Sequence, residues 1–296
     1  MKTALPSKSR AYQQTIEKIK DIILEKGEKK IAFIILFGSF ARGDFVYDSY
    51  IEDGIRYSYA SDFDILIITK TGTDKGGSGN HQLINLKYSV IRKVQRECQE
   101  RLHSLSLVIE PLKHVNKMLE EGHYFFTDIK KEGILLFADE NCRLAQPKKL
   151  TNQEKRKIAQ RHFDIWFDKG SSFLDRFNLM FSKEKYVDSA FDLHQAAENF
   201  FNCSILVLSD YKPKTHKLED LNKLCSSQSN QFLNIFPKAT KEQKECFELL
   251  DDAYIGARYN PNYKIIREQL EYLIIRVKKL KDITEKVCKE KINSFW

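Results

Sequence analysis

No stretch of this 296-residue chain is apolar enough to cross a bilayer, which takes about 20 consecutive apolar residues. Its first ten residues, MKTALPSKSR, lack the apolar segment of a secretory leader. Cysteines are sparse and scattered, at Cys98, Cys142, Cys203, Cys225, Cys246 and Cys288, and none falls in a C-x-x-C pair. That pattern gives neither a zinc site nor a redox motif. Without an export signal, thiols of this kind are expected reduced and buried, and the chain is expected in the cytoplasm with no membrane partner. The glycine-rich stretch TGTDKGGSGN (71–80) lacks the G-K-[ST] ending of a phosphate-binding P-loop and reads as a flexible connection. Acids are outnumbered by bases, 41 to 49, for a net charge of +8. A basic surface favours polyanions and phosphorylated substrates. Here acids interrupt the lysines throughout, so nucleic acid is a possible partner but not the favoured one.

What the chain does have is enough apolar and aromatic residues for a core, 42% and 12%, in a length that suits two domains. Tyr12, Ile16, Ile19 and Ile23 mark one face of a helix over 8–26. IAFIILF (31–37) reads as a strand buried on both sides. DFDILIIT (62–69) reads as a second strand, with Asp62, Asp64 and Leu66 on one face. A helix over 82–102 and a strand LSLVIE (105–110), ended by Pro111, follow. Residues 112–140 hold a helix and a short closing element, GILLFA. The polar stretch at 145–155 marks a boundary, giving domains 1–145 and 146–296. Beyond it the pattern is helical only: a helix around 184–208, an interruption at KPKTH (212–216), a helix over about 240–256, and a last one expected to start at Asn260-Pro261. The expected fold class is α+β, an N-terminal α/β domain with a small mixed sheet followed by an all-α bundle.

The informative stretch is FGSFARGD (37–44), followed by SDFD (61–64). A strand, then Gly-Ser, then a helix presents backbone N–H groups to a phosphate. Two aspartates on one face of a strand repel each other unless a cation sits between them. Hard oxygen ligands select Mg²⁺, which keeps waters and shares phosphate oxygens. Phosphoryl and nucleotidyl transfer use this combination. Gly38-Ser39 and Asp62-Phe63-Asp64 together resemble the minimal nucleotidyltransferases of the DNA polymerase beta superfamily, over about residues 30–140. The resemblance implies that Gly38 and Ser39 hold the β- and γ-phosphates of ATP or another nucleoside triphosphate. It implies a two-metal Mg²⁺ site on Asp62, Asp64 and a third carboxylate on a later strand, for which Glu110 stands at the expected place. Arg42 could contact a phosphate or make a surface ion pair. The connection from Ser39 to Asp62 is longer than usual, as if 45–60 were an insertion.

In the second half, FDLHQAAENFF (191–201), YKPKTHKLEDL (211–221) and AYIGARYNPNY (253–263) resemble the HEPN domain, over about 155–285. Nuclease members carry an arginine followed closely by a histidine near the last helix. No histidine follows Arg258, and the matching spacing of Arg156 and His162 lies at the wrong end of the domain. The remaining role implied is nucleotide or acceptor binding, with Arg258 on a phosphate and Tyr259 stacking a base, or both tying helices together. His194 and Glu198 sit one turn apart, as a cleft pair or as a buried histidine with its partner. His216 could contact phosphate or cap the next helix. The expected function is an Mg²⁺-dependent nucleotidyltransferase acting on an unknown small-molecule or protein hydroxyl. Its alternatives are a non-catalytic nucleotide sensor and, less favoured, an RNA-cleaving toxin-like protein. A homodimer through the helical domain is a further expectation.

Overall fold

The computed structural model describes residues 1–52, 55–70, 78–98 and 104–295. Contacts divide the chain into two compact units, Met1–Tyr47 with Ala60–Lys149, and Asp48–Tyr59 with Leu150–Trp296.

A short 3-10 helix (Ser7–Tyr12) leads into α1 (Gln13–Gly27), whose inward stripe is Ile16, Ile19, Ile22 and Ile23. Next come β1 (Ile31–Phe37), the five-residue α2 (Gly38–Arg42), β2 (Tyr47–Glu52), β3 (Ile55–Ala60) and β4 (Phe63–Thr69). α3 (Ser78–Glu97), β5 (Leu105–Pro111), α4 (Leu112–Glu121), α5 (Tyr124–Glu132) and β6 (Ile134–Ala138) complete the first 149 residues. β1 and β4 are buried along their whole lengths, β1 as an unbroken apolar strand and β4 with Asp64 and Thr69 carried into the interior. They are the central strands of a mixed sheet of order β5-β4-β1-β6. β1 runs antiparallel to β4 and β6, while β4 and β5 are parallel.

Two expectations change here, and a third falls largely outside the described residues. The 45–60 insertion is a hairpin of β2 and β3, a two-stranded sheet of its own. The single helix expected after Pro111 is two, because Gly122 takes a left-handed conformation (φ 85°) and ends α4. The glycine-rich stretch from 71 to 77 lies outside the described residues, and α3 begins at Ser78.

The helical unit contains α6 (Asn152–Ser182), α7 (Tyr186–Ser209), α8 (Leu218–Gln228), α9 (Lys241–Tyr259) and α10 (Arg267–Asn293). α6 opens on a reciprocal cap, Thr151 with Glu154. α7 is buried on nearly every side, so it is the axis on which the other helices pack. Gly170 lets α6 approach it, since a Cβ there would lie 2.6 Å from the Phe200 ring. The last helix starts later than Asn260-Pro261 suggested. Tyr263 turns inward, donates its hydroxyl to the Leu249 carbonyl (2.8 Å) and holds the chain off helical geometry until Arg267. Burial pushes the Tyr263 phenol up from its ordinary value, with Asp252 adding to the shift. No helix among the described residues is long and apolar enough to cross a membrane. All six cysteines are free thiols, five of them buried.

Candidate functional site

The end of β1 decides the site. Phe37 pairs with Asp64 across the antiparallel ladder, and the next residue, Gly38, turns with φ 69°. A Cβ on Gly38 would stand 2.2 Å from Asp64 Oδ2, so only glycine lets the turn lie against the acid. Gly43, also left-handed at φ 82°, closes α2 by donating its N–H to the Ser39 carbonyl (2.8 Å).

An aromatic floor fixes this turn. Phe40 stacks on Phe45 (4.3 Å between centroids) and on Phe63 (4.2 Å), and Tyr12 meets all three edge-on. Phe63 is the residue between the two aspartates, so the floor ties the turn to the acidic pair. The N-terminal segment adds two anchors: Ser9 Oγ donates to the Phe40 carbonyl (2.7 Å) and Lys8 Nζ to that of Phe45 (2.7 Å).

Three polar atoms facing this turn are buried and lack a hydrogen bond among the described residues: Ser39 Oγ and both carboxylate oxygens of Asp64. Groups of this kind are rare in folded proteins and call for a reason. Burial pushes the Asp64 carboxyl well above its ordinary value, and the nearby Asp62 charge adds to the shift. Ser106 and the Arg42 guanidinium pull the other way, though Ser106 forms no hydrogen bond of good geometry with the carboxylate. Asp62 is half-buried, just before β4. Arg42 is exposed and pairs with Asp44 at 3.0 Å.

Glu110 is not brought to this pair. In the parallel register of β4 and β5, Ser106 lies opposite Asp64, and Glu110 lies opposite Ile68, four residues on. At ~3.3 Å per residue that is about 13 Å along the strand. Glu110 is buried there, with His114 of α4 at 3.9 Å. Among the described residues no group of three or more His, Cys, Asp or Glu side chains could hold a metal ion. Sequence reasoning chose the acid that ends LSLVIE. The signal for Ser106 was that it is the other polar residue of that run.

Arg258 and Tyr259 belong to the helical unit. The Arg258 guanidinium lies over the rings of Tyr254, Tyr259 and Phe191 (4.2, 4.9 and 5.3 Å), and its Nε donates to the Tyr254 carbonyl (2.6 Å). Tyr259 is 71% exposed. His194 is fully buried, with Nδ1 on the Leu250 carbonyl (2.9 Å). His216 does not cap the next helix. α8 has no side-chain cap from its own N-cap residue, and Asp251 of α9 instead accepts from the Leu218 N–H (2.5 Å). His216 reaches back to Glu198 (2.9 Å). His162, in the coincidental Arg156 spacing, bonds Asp210 (2.8 Å).

Comparison with curated proteins gives no match. Among solved structures, the chain is similar to a nucleotidyltransferase-like protein from Exiguobacterium sibiricum 255-15, with 11% identity and a TM-score of 0.29, covering 93% of this chain and 78% of that one. The family model described as the HEPN domain matches residues 163–287. That segment contains the LHQAAE, PKTH and ARY stretches, and the helical half of this chain carries a HEPN domain.

Proposed function

We propose that the N-terminal unit binds a nucleoside triphosphate together with one Mg²⁺, and that it binds without transferring. The observation that supports this is the set of orphaned polar atoms, Ser39 Oγ and both oxygens of Asp64, buried around the positive-φ turn at Gly38. A phosphate and a cation are the partners those atoms lack. Asp62 and Asp64 supply hard anionic oxygens and Ser106 a hydroxyl, a donor set that suits a single Mg²⁺ with its remaining positions on water and phosphate. Bound there, the ion would neutralise the carboxylate pair and the phosphate tail. Gly38 permits close approach of the tail and Ser39 offers it a hydroxyl. Phe40, Phe45 and Phe63 hold turn and acids at a fixed separation.

Transfer in the superfamily this unit resembles uses a third carboxylate beside the pair. Ser106 stands in that register position, and Glu110 is about 13 Å further along the strand. The reading therefore favours the non-catalytic alternative over nucleotidyl transfer to a small-molecule or protein hydroxyl.

The test is equilibrium binding of α-labelled ATP, GTP, CTP and UTP to the full chain with and without Mg²⁺, with pyrophosphate release followed in parallel. The expected result is saturable, Mg²⁺-dependent binding that Asp62→Ala/Asp64→Ala protein loses, and no pyrophosphate. Pyrophosphate release lost in the double variant would replace this reading with transfer. No binding of any nucleotide would overturn it.

A further inference from the structure

The Gly-Ser turn is braced from outside the sheet. α2 has five residues, where an isolated helix needs about 12–15 to hold its own shape in water. Its position is therefore set by what packs on it. A glycine stands at each end with no room for a Cβ. At Gly38 the atom in the way is Asp64 Oδ2, and at Gly43 it is Cβ of Pro6, 2.9 Å from where a Gly43 Cβ would lie. The short helix is wedged between the acid and the N-terminal segment.

That segment, Pro6 to Tyr12, grips the turn at several points. Ser9 is completely buried, and its hydroxyl donates to the Phe40 carbonyl inside α2 (2.7 Å). The preceding carbonyl, of Ser39, accepts from the Gly43 and Asp44 N–H groups (2.8 and 3.1 Å). Lys8 is exposed, yet its ammonium donates to the Phe45 carbonyl (2.7 Å) and lies over the Phe45 ring (4.5 Å). Tyr12 meets Phe40, Phe45 and Phe63 edge-on. The backbone of the turn is thus tied down by the protein, while the Ser39 hydroxyl has no hydrogen bond among the described residues.

We propose that Ser9 and Lys8 are positioning residues for the phosphate tail, and that Pro6–Tyr12 is a brace whose docking is coupled to the triphosphate. This role rests on the nucleotide reading of the sheet. A binding site must hold its groups within about 0.5 Å of the productive geometry. The Ser9 and Lys8 bonds fix the Phe40 and Phe45 carbonyls on either side of Gly43. Without them the turn rests on the ring stack, an apolar contact with little direction of its own. Coupling of this kind is reciprocal: whatever affinity the tail gains from the docked brace, the brace gains in docking from the tail. The occupied site holds the first twelve residues more firmly than the empty one.

The test measures Mg²⁺-dependent ATP binding to the full chain, its displacement by inorganic triphosphate, and the ligand-free melting temperature. Ser9→Ala should weaken ATP and triphosphate equally, by about fivefold, the worth of one buried hydrogen bond. Lys8→Met keeps the apolar stem at an exposed position, so the chain folds, and should weaken both by about threefold. A purely structural role would lower the melting temperature and leave the affinity of the folded protein intact. Reciprocity is read with trypsin, which cuts after Lys8 and Arg10 when the segment undocks. Mg²⁺ with ATP should slow that cleavage severalfold in the parent and not in Asp62→Ala/Asp64→Ala protein. Parent affinity in Lys8→Met, and in Ser9→Ala where that variant folds, overturns the role of the brace and leaves the nucleotide reading standing. A loss for ATP that triphosphate does not share, or cleavage that ligand does not slow, does the same. A parent that binds no nucleotide overturns both.

Discussion

Asp64 in the sheet and Glu198 in the helical bundle are both acids withdrawn from water, yet their carboxyls are displaced in opposite directions. Asp64 has a second acid beside it and no hydrogen bond among the described residues, so desolvation wins and the neutral form is favoured. Glu198 is contacted by two imidazoles and a glutamine amide, so the charged form is favoured. The difference teaches that burial sets the size of the electrostatic penalty while the partners set its sign. In the bundle the protein supplies the partners itself. In the sheet no described side chain hydrogen-bonds the Asp64 oxygens.

The largest expected effect breaks the sheet side outright. Gly38→Ala forces a side chain into a left-handed position and within 2.2 Å of the Asp64 carboxylate. It should cost about 3 kcal/mol in urea unfolding and abolish nucleotide binding. A variant as stable as the parent would mean that the turn and the acid are not in contact.

Asp64→Asn should move the other way, stabilising the ligand-free protein by ~1–2 kcal/mol at neutral pH while removing Mg²⁺-dependent binding. The pH trend carries the sign. The folded-state carboxyl is raised above its ordinary 3.8. Its contribution is fully present below that value and is lost as pH rises through the folded-state pKa. The gain of Asp64→Asn over the parent should therefore grow from pH 4 toward 7, and a flat difference would contradict the assignment.

Glu198→Gln sharpens the contrast. It should destabilise by about 1 kcal/mol near neutrality, since a charged acceptor with several donors is lost. Here the folded-state value lies below the ordinary 4.5. The stabilisation is present above that pH and lost as pH falls through the folded-state value, so the gap between variant and parent should close in acid. Opposite pH trends for the two variants, read by urea titration across the same range, are the direct check of the comparison.

The smallest effect is at the exposed pair of Arg42 and Asp44. Arg42→Ala should change stability by less than about 0.5 kcal/mol. A weakening of nucleotide binding severalfold or more would mean that Arg42 leaves Asp44 for a phosphate when ligand is present.

Much of the sheet was legible because its strands are short, isoleucine-rich runs with clean ends. Residues 31–37 were placed as β1 forms, and β4 and β5 differ from expectation by one residue each. The turn and the acidic pair were legible because glycine, serine and alternate aspartates have few other reasons to occur in that order. What was not legible was register. Whether Ser106 or Glu110 faces Asp64 depends on how two parallel strands slide against each other, and nothing local to LSLVIE states it. The same limit hid the His216 contacts. Glu198 and Tyr254 lie 18 and 38 residues away in sequence, and only the packing of α7 against α9 brings them to one imidazole. The late start of α10 was missed because Asn260-Pro261 is a good local helix start that the inward packing of Tyr263 overrides.

The anchors from Ser9 and Lys8 to the turn have a consequence for the order of folding. They join residues 31 and 37 positions apart, across all of α1 and β1. The ladder of β1 and β4 closes loops of the same order, from 27 residues at Phe37–Asp64 to 38 at Ile31–Thr69, so chain entropy sets the two kinds of contact on a par. The turn takes its final shape only once the first twelve residues dock. Hydrogen exchange during refolding should therefore protect the amides of Gly43 and Asp44 together with those of β1 and β4, so that the Gly38 turn sets in one step with the sheet.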